Sequence, residues 1–246
     1  QDNAERPLVA AASSLQFALP DLADAFAEAT GAGVRLTFGA SGNLARQIRQ
    51  GAPFALYLAA DAAYVRDLAA RGFTRGAGTV YARGRLALIA PPDAPFDPAD
   101  GLAGVKRALA AGKIDRFAIA NPDHAPYGVR AKQALRHAGL CHAGLREGLR
   151  PYLIFGENVA QAARFASTGN AQGGLVAASL AQAPKVAARV RHALIPESAH
   201  APLRQRMVLL QGAGPGAEHF YDFLQTPAAR AIWRAHGFAP PGGGDG

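Results

Sequence analysis

Apolar and polar positions divide this chain into short apolar runs, each followed by a stretch with helical spacing. Leu8 to Ala12 is uniformly apolar, as expected of a short strand buried on both faces. It ends at Ser13-Ser14, after which Leu15, Leu19, Leu22 and Phe26 recur at helical spacing up to Gly31. Pro20 removes one helical hydrogen bond, so this helix either kinks there or restarts with Pro20 in its first turn. Val34, Leu36 and Phe38 then alternate with Arg35 and Thr37 as a second strand. The turn Gly39-Ala40-Ser41-Gly42-Asn43 leads into a helix over Leu44 to Ile48, closed by Gly51, with Ser41 at its N-cap. The apolar run Phe54 to Ala59, and a helix opened by Ala60-Asp61 and carrying Tyr64, Val65 and Leu68, make a third unit.

Helical crossovers return the chain to the same edge, so three consecutive units predict a parallel sheet. Their three strand-to-helix turns then lie along the carboxyl rim, where open α/β sheets bind ligands. Ser13, Ser14, Ser41 and the Ala60 N–H converge there. Hydroxyls beside the unpaired N–H groups of a helix start suit an anion.

Beyond residue 84 the pattern repeats in a second lobe. Arg85 to Pro91 and Phe117 to Ala120 are strands, and Leu102 to Ala110 is a helix between them. The loop from Asn121 to Gly128 delivers Tyr127 to a helix over Val129 to His137. Strands at Tyr152 to Phe155, Gly174 to Ala178 and Ala193 to Pro196 follow, with a helix from Val159 to about Ala166 capped by Asn158. Met207 to Leu210 pairs with the strand at Arg85 in this reading, which gives two chain crossings and a hinge. Two closing helices cover Ala217 to Leu224 and a segment begun by Thr226-Pro227, with Leu224, Ile232 and Trp233 inward. The expected division is 1–84 with 200–246 as lobe 1, and 85–199 as lobe 2.

Composition narrows the function. The chain has 246 residues, half of them hydrophobic and 18% charged, which is a globular balance. No apolar run approaches the roughly 18 to 20 residues that cross a bilayer. The net charge of +8 comes from scattered arginines. The densest stretches, Arg130 to Arg136 and Arg189 to Arg204, carry no interleaved aromatics, so we expect no nucleic-acid partner. A positive field still favours a small anion. The single cysteine, Cys141, forms no internal disulfide, and His142 beside it makes no metal site alone. The start Gln1-Asp2-Asn3 has no initiating Met and no apolar signal core, as in a mature chain whose export signal has been removed. HExxH and GxSxG are absent, and Gly212-Ala213-Gly214-Pro215-Gly216 lacks the lysine of a phosphate loop. We therefore expect no catalytic residues; His124, a loop residue, is a weakly placed general base.

Taken together, AAASSL at 10–15, FGASGNLARQI at 38–48, LAAD at 58–61, NPDHAPYGVRAKQAL at 121–135, GENVAQA at 156–162 and FYDFLQTPAARAIWRAHGF at 220–238 resemble the periplasmic molybdate-binding proteins. These are the substrate-capture subunits of molybdate ABC importers, and the resemblance runs nearly the whole chain in order. It implies an α/β, two-lobed type II periplasmic binding protein fold with a ligand cleft between the lobes. It further implies a periplasmic monomer that captures molybdate, and tungstate too, with no cofactor, and delivers it to a membrane permease.

Carried over residue by residue, Ser14 matches the serine of the first turn, with Ser13 beside it, and Ser41 the serine of the second. Ala60 and Val159 match backbone N–H donors, one in each lobe. The tyrosine some members place at Ala177 is absent; others take it from a PYG loop, which Pro126-Tyr127-Gly128 supplies. The segment Phe54-Ala55-Leu56-Tyr57 lacks the acidic residue often found there as ADLF. A doubly charged tetrahedral anion accepts from all such donors, and molybdenum enters only as the oxyanion, with no direct protein ligands. Other readings are a binder of sulfate, thiosulfate or phosphate, an α/β enzyme, or an anion-sensing regulatory module.

Overall fold

A computed structural model describes residues 6–141 and 148–242. The Gln1-Asp2-Asn3 start and His142 lie outside them. The chain divides into two compact units, Gln1–Gly84 with Arg204–Gly246, and Arg85–Leu203.

Unit 1 begins with β1 (Leu8–Ala12), a 3-10 turn over Ser13–Leu15, and α1 (Ala18–Thr30), which closes on Gly31 at φ 73°. Pro20 falls in the first turn of α1, where its missing N–H has no helical acceptor in any case. Next come β2 (Arg35–Gly39), α2 (Ser41–Arg49), β3 (Leu56–Ala59), α3 (Ala62–Ala70) and β4 (Thr79–Gly84).

Unit 2 contains β5 (Leu86–Ala90), α4 (Gly101–Ala110), β6 (Phe117–Ala120), α5 (Pro126–His137), β7 (Leu153–Gly156) and α6 (Val159–Ser167). It ends with β8 (Gly173–Ala177), the single turns α7 (Ala178–Ala181) and α8 (Pro184–Ala187), and β9 (Arg191–Leu194). The chain then returns to unit 1 through β10 (Leu203–Leu209), α9 (Pro215–Phe223) and α10 (Pro227–Ala235).

Each unit holds a five-stranded sheet, ordered β2-β1-β3-β10-β4 in unit 1 and β7-β6-β8-β5-β9 in unit 2. In unit 1, β1 pairs in parallel with β2 and β3, and the uniform apolar runs are explained by helices on both faces. Val9, Ala11, Leu56 and Leu58 pack with Leu19, Leu22, Phe26, Phe220 and Trp233, while Ala10, Tyr57 and Ala59 pack with Leu44, Ile48, Val65 and Leu68. In unit 2, β6 lies parallel to β7 and β8, and β5 runs antiparallel to β8 and β9.

The structure corrects several sequence expectations. The Met207–Leu210 segment pairs antiparallel with β3, Val208 opposite Tyr57, and does not pair with the strand at Arg85. Apart from Arg85 itself, both segments are apolar, so periodicity identifies each as a strand without naming its partner. β4 escaped notice because Tyr81 and Ala82 are its only buried apolar residues and glycines surround it. The first turn of α5 already begins at Pro126, Tyr152 precedes its strand in a 3-10 turn, and Ala178 opens α7.

Residues 200–203 remain with unit 2 because they are tied to α5: Arg130 Nη2 donates to Pro202 O (3.2 Å) and Ala201 N to Gln133 Oε1 (2.9 Å). His200, 9% exposed, sits at this junction with Nδ1 2.8 Å from the Ala201 carbonyl. Burial pushes its imidazole pKa below the usual value; the Ala201 bond and Glu197 oppose this, and Arg130 and Arg85 add to it. The unfolded chain takes up this proton near pH ~6.5 and the folded chain only at lower pH. Stability from His200 is therefore whole above that value and declines as the pH falls below it. Urea denaturation across this range should show the acid decline, and His200→Gln should flatten it.

Candidate functional site

The parallel register brings three turns of unit 1 to one rim. Ala12 lies opposite Gly39 and Ala11 opposite Leu58, so the residues that follow each strand, Ser13-Ser14, Ala40-Ser41 and Ala60, leave the sheet side by side. Ser13, Ser14 and Ser41 are 4%, 1% and 1% exposed. Buried hydroxyls of this kind are retained where they have something to bond.

Ser41 is the first residue of α2, and the N-cap is Ala40, a correction to its expected capping role. Its hydroxyl is consequently not spent on its own helix. Ser41 Oγ accepts the Ala60 N–H at 3.0 Å, which couples the second turn to the third and leaves the serine its own proton to donate. The first turn of α2 has neither a side-chain cap nor an acidic residue, so its N–H groups face the rim without a built-in counter-charge. Asp61, beside Ala60, is occupied otherwise: its carboxylate caps α3 by accepting from Ala63 N at 2.9 Å.

Beneath the rim lies a residue that the sequence reading treated only as packing. Tyr57, fully buried in β3, donates its hydroxyl to Ser41 O at 2.6 Å and so clamps the start of α2 to the sheet. Burial raises its pKa well above the usual tyrosine value, keeping the proton on the oxygen. Tyr81 OH lies 2.8 Å from Gln205 Oε1 and 3.2 Å from Ala59 O, next to the Ala60 turn. Tyr57 was detectable as a polar atom in an otherwise apolar strand, whereas Tyr81 lies in the mixed β4, and only the fold says what either reaches.

Unit 2 builds its rim the same way, with Ala120 of β6 opposite Gly156 of β7. Tyr127 is the second residue of α5 and 2% exposed, and Val159 is the first residue of α6 and 4% exposed. Both helix starts sit close to their strands because glycine permits it. A Cβ on Gly128 would lie 2.1 Å from Ala120 O, and one on Gly156 2.6 Å from Ala162 N. Asn158 caps α6 by accepting from Gln161 N at 3.0 Å, as its sequence position indicates. The Val159 N–H is one that the helix cannot pair itself. His124 Nε2 lies 2.8 Å from Glu157 O, tying the two rim loops together. The structure thus groups Ser13, Ser14, Ser41 and Ala60 on one rim, and Tyr127 and Val159 on the rim of the other unit.

Residues 7–239 match a family described as bacterial extracellular solute-binding proteins. The chain belongs to that family. Among solute-binding proteins, it is 35% identical over 235 residues to the molybdate-binding protein ModA of Rhodobacter capsulatus, covering 94% of this chain and 87% of that protein. The molybdate-binding protein ModA of Azotobacter vinelandii is 32% identical over 233 residues, 94% of this chain and 88% of that one. The structure of the periplasmic molybdate-binding protein of Azotobacter vinelandii superposes with a TM-score of 0.84 at 30% identity, covering 96% of this chain and 100% of that chain. The solute-binding fold is thus established by sequence and architecture together. No helix of the described residues is long and apolar enough to cross a membrane, and no group of three metal-ligating side chains occurs among them.

Replacing Tyr57 by Phe removes the clamp on α2 while leaving the ring in place. Thermal or urea denaturation should show a loss of about 1 kcal/mol, the usual worth of one hydrogen bond, with unchanged secondary structure.

Proposed function

We propose that this extracytoplasmic solute-binding protein captures molybdate and hands it to the permease of an ABC importer. The observation that carries the reading is the coupled rim of unit 1, where buried hydroxyls and helix-start N–H groups meet with no cation among them. Molybdate is doubly charged and, at neutral pH, unprotonated. It offers four acceptor oxygens, and every group on this rim can donate. Neutral donors and helix ends stabilise its charge without leaving an uncompensated cation in the empty site.

In this mechanism Ser41 is the pivot. Its Oγ holds the Ala60 N–H before the anion arrives, and then directs its own O–H to an oxygen of the ligand while Ala60 turns to or shares the same anion. Ser14 and Ser13 supply the first turn, and Tyr127 and the Val159 N–H act from unit 2. The Tyr57 and Asn158 contacts hold these donors in place, which reduces the ordering cost of binding. No step makes or breaks a covalent bond, so the protein acts by binding and not by catalysis, and needs no cofactor. The net charge of +8 assists encounter with the dianion. Tungstate has the same shape and charge and binds too. We also infer that the chain works as a monomer in the periplasm.

Calorimetric titration tests the reading. Molybdate should bind tightly and compete with tungstate, while sulfate and phosphate compete poorly. Tight sulfate binding with no molybdate binding would assign the site to another oxyanion. Ser41→Ala should weaken molybdate binding by roughly 1 to 3 kcal/mol, the cost of losing a bond to a buried charge.

A further inference from the structure

Unit 1 contains a cavity of about 440 Å³ that none of the six proposed oxyanion donors lines. Its wall includes Val80, Tyr81 and Leu224, which are apolar or aromatic, and the polar Gln225, Arg206 and Arg230. Arg206 is only 8% exposed and is the one arginine among the buried residues described. Its Nη1 donates to Ala77 O (2.9 Å) and Gly78 O (3.3 Å), which fixes the guanidinium, yet its buried Nε makes no hydrogen bond. Other arginines of the protein have carboxylates, such as Arg75 with Glu218 at 2.6 Å and Arg191 with Asp97 at 2.9 Å. Arg206, more deeply buried than either, has only carbonyls.

A guanidinium does not shed its proton, so burial without an anion leaves a charge that the two carbonyl dipoles only partly offset. Arg230, exposed on α10, adds a second cation to the same wall with no carboxylate facing it among the described residues. A single tetrahedral oxyanion is far too small for this volume and would leave Val80, Tyr81 and Leu224 without contacts. A carboxylate on a short carbon skeleton fits both halves, since guanidinium and carboxylate match in a planar, two-bond geometry.

We propose that this cavity is a second binding site, for a small organic carboxylate paired with Arg206 and Arg230. The only tryptophan of the chain reports on it. Trp233 stacks 5.0 Å from the Tyr81 ring, and its Nε1 donates to Leu224 O, so two wall residues touch the fluorophore. Succinate, acetate and inorganic phosphate are titrated into the full chain at constant ionic strength, without molybdate and again with excess molybdate, following Trp233 emission.

Succinate should give a saturable change of equal midpoint in both conditions. That midpoint should rise about tenfold in Arg206→Gln and several-fold in Arg230→Gln, as expected for losing charge-assisted bonds, with molybdate titrations unaltered. No saturable response to succinate, tighter binding of phosphate than of succinate, or a wild-type midpoint in Arg206→Gln would overturn the proposal. Should Arg206→Gln fail to fold, the exposed Arg230→Gln decides alone, and an unchanged midpoint there overturns it.

Discussion

Neutral donors can hold a buried dianion only where the backbone fixes them, and in unit 1 that fixing comes from the parallel pairing of β1 with β2 and β3. Because Ala12 meets Gly39 and Ala11 meets Leu58, the three strands end together and their turns emerge side by side. Ser41 Oγ accepting the Ala60 N–H is a direct result, since those residues are 19 positions apart in sequence and adjacent only across the sheet. The Tyr57 hydroxyl then pins the Ser41 backbone from below. Such preorganisation matters more for a dianion than for an apolar ligand, because stabilisation by dipoles depends on their direction as well as their number.

Unit 2 reaches a similar arrangement with different parts. Here glycines allow the helix starts to approach the strand ends, Asn158 orders the entry to α6, and His124 joins the loops that precede Tyr127 and Val159. Tyr127 depends on this framework, because a buried aromatic at the second position of a helix has few orientations open to it.

The treatment of charge separates two parts of unit 1. The rim residues Ser13, Ser14, Ser41 and Ala60 are all uncharged, and the neighbouring acid, Asp61, is turned to its own helix. At the cavity beside β4 and β10 the opposite holds, with a buried arginine supported by carbonyls alone. The first arrangement favours reversible binding of a strongly hydrated inorganic anion. The second is the chemistry of a specific guanidinium–carboxylate pair.

The sequence by itself determined the elements and their order. Uniform apolar runs marked β1, β5 and β6, helical spacing with Gly31 marked α1, and Asn158 and Thr226 announced the caps of α6 and α10, because these signals act within a few residues. It also singled out the serines, since hydroxyls at the ends of apolar runs are locally conspicuous. Only the tertiary structure decided which strands are neighbours, and hence that β10 joins β3, that the Ser41 hydroxyl serves Ala60 in place of its own helix, and that Tyr57 holds the rim. Likewise the burial of Arg206 could not be read from its position among polar residues of β10. Partner choice between strands, and contacts across a sheet, are set by long-range packing, which leaves no period or spacing in the chain.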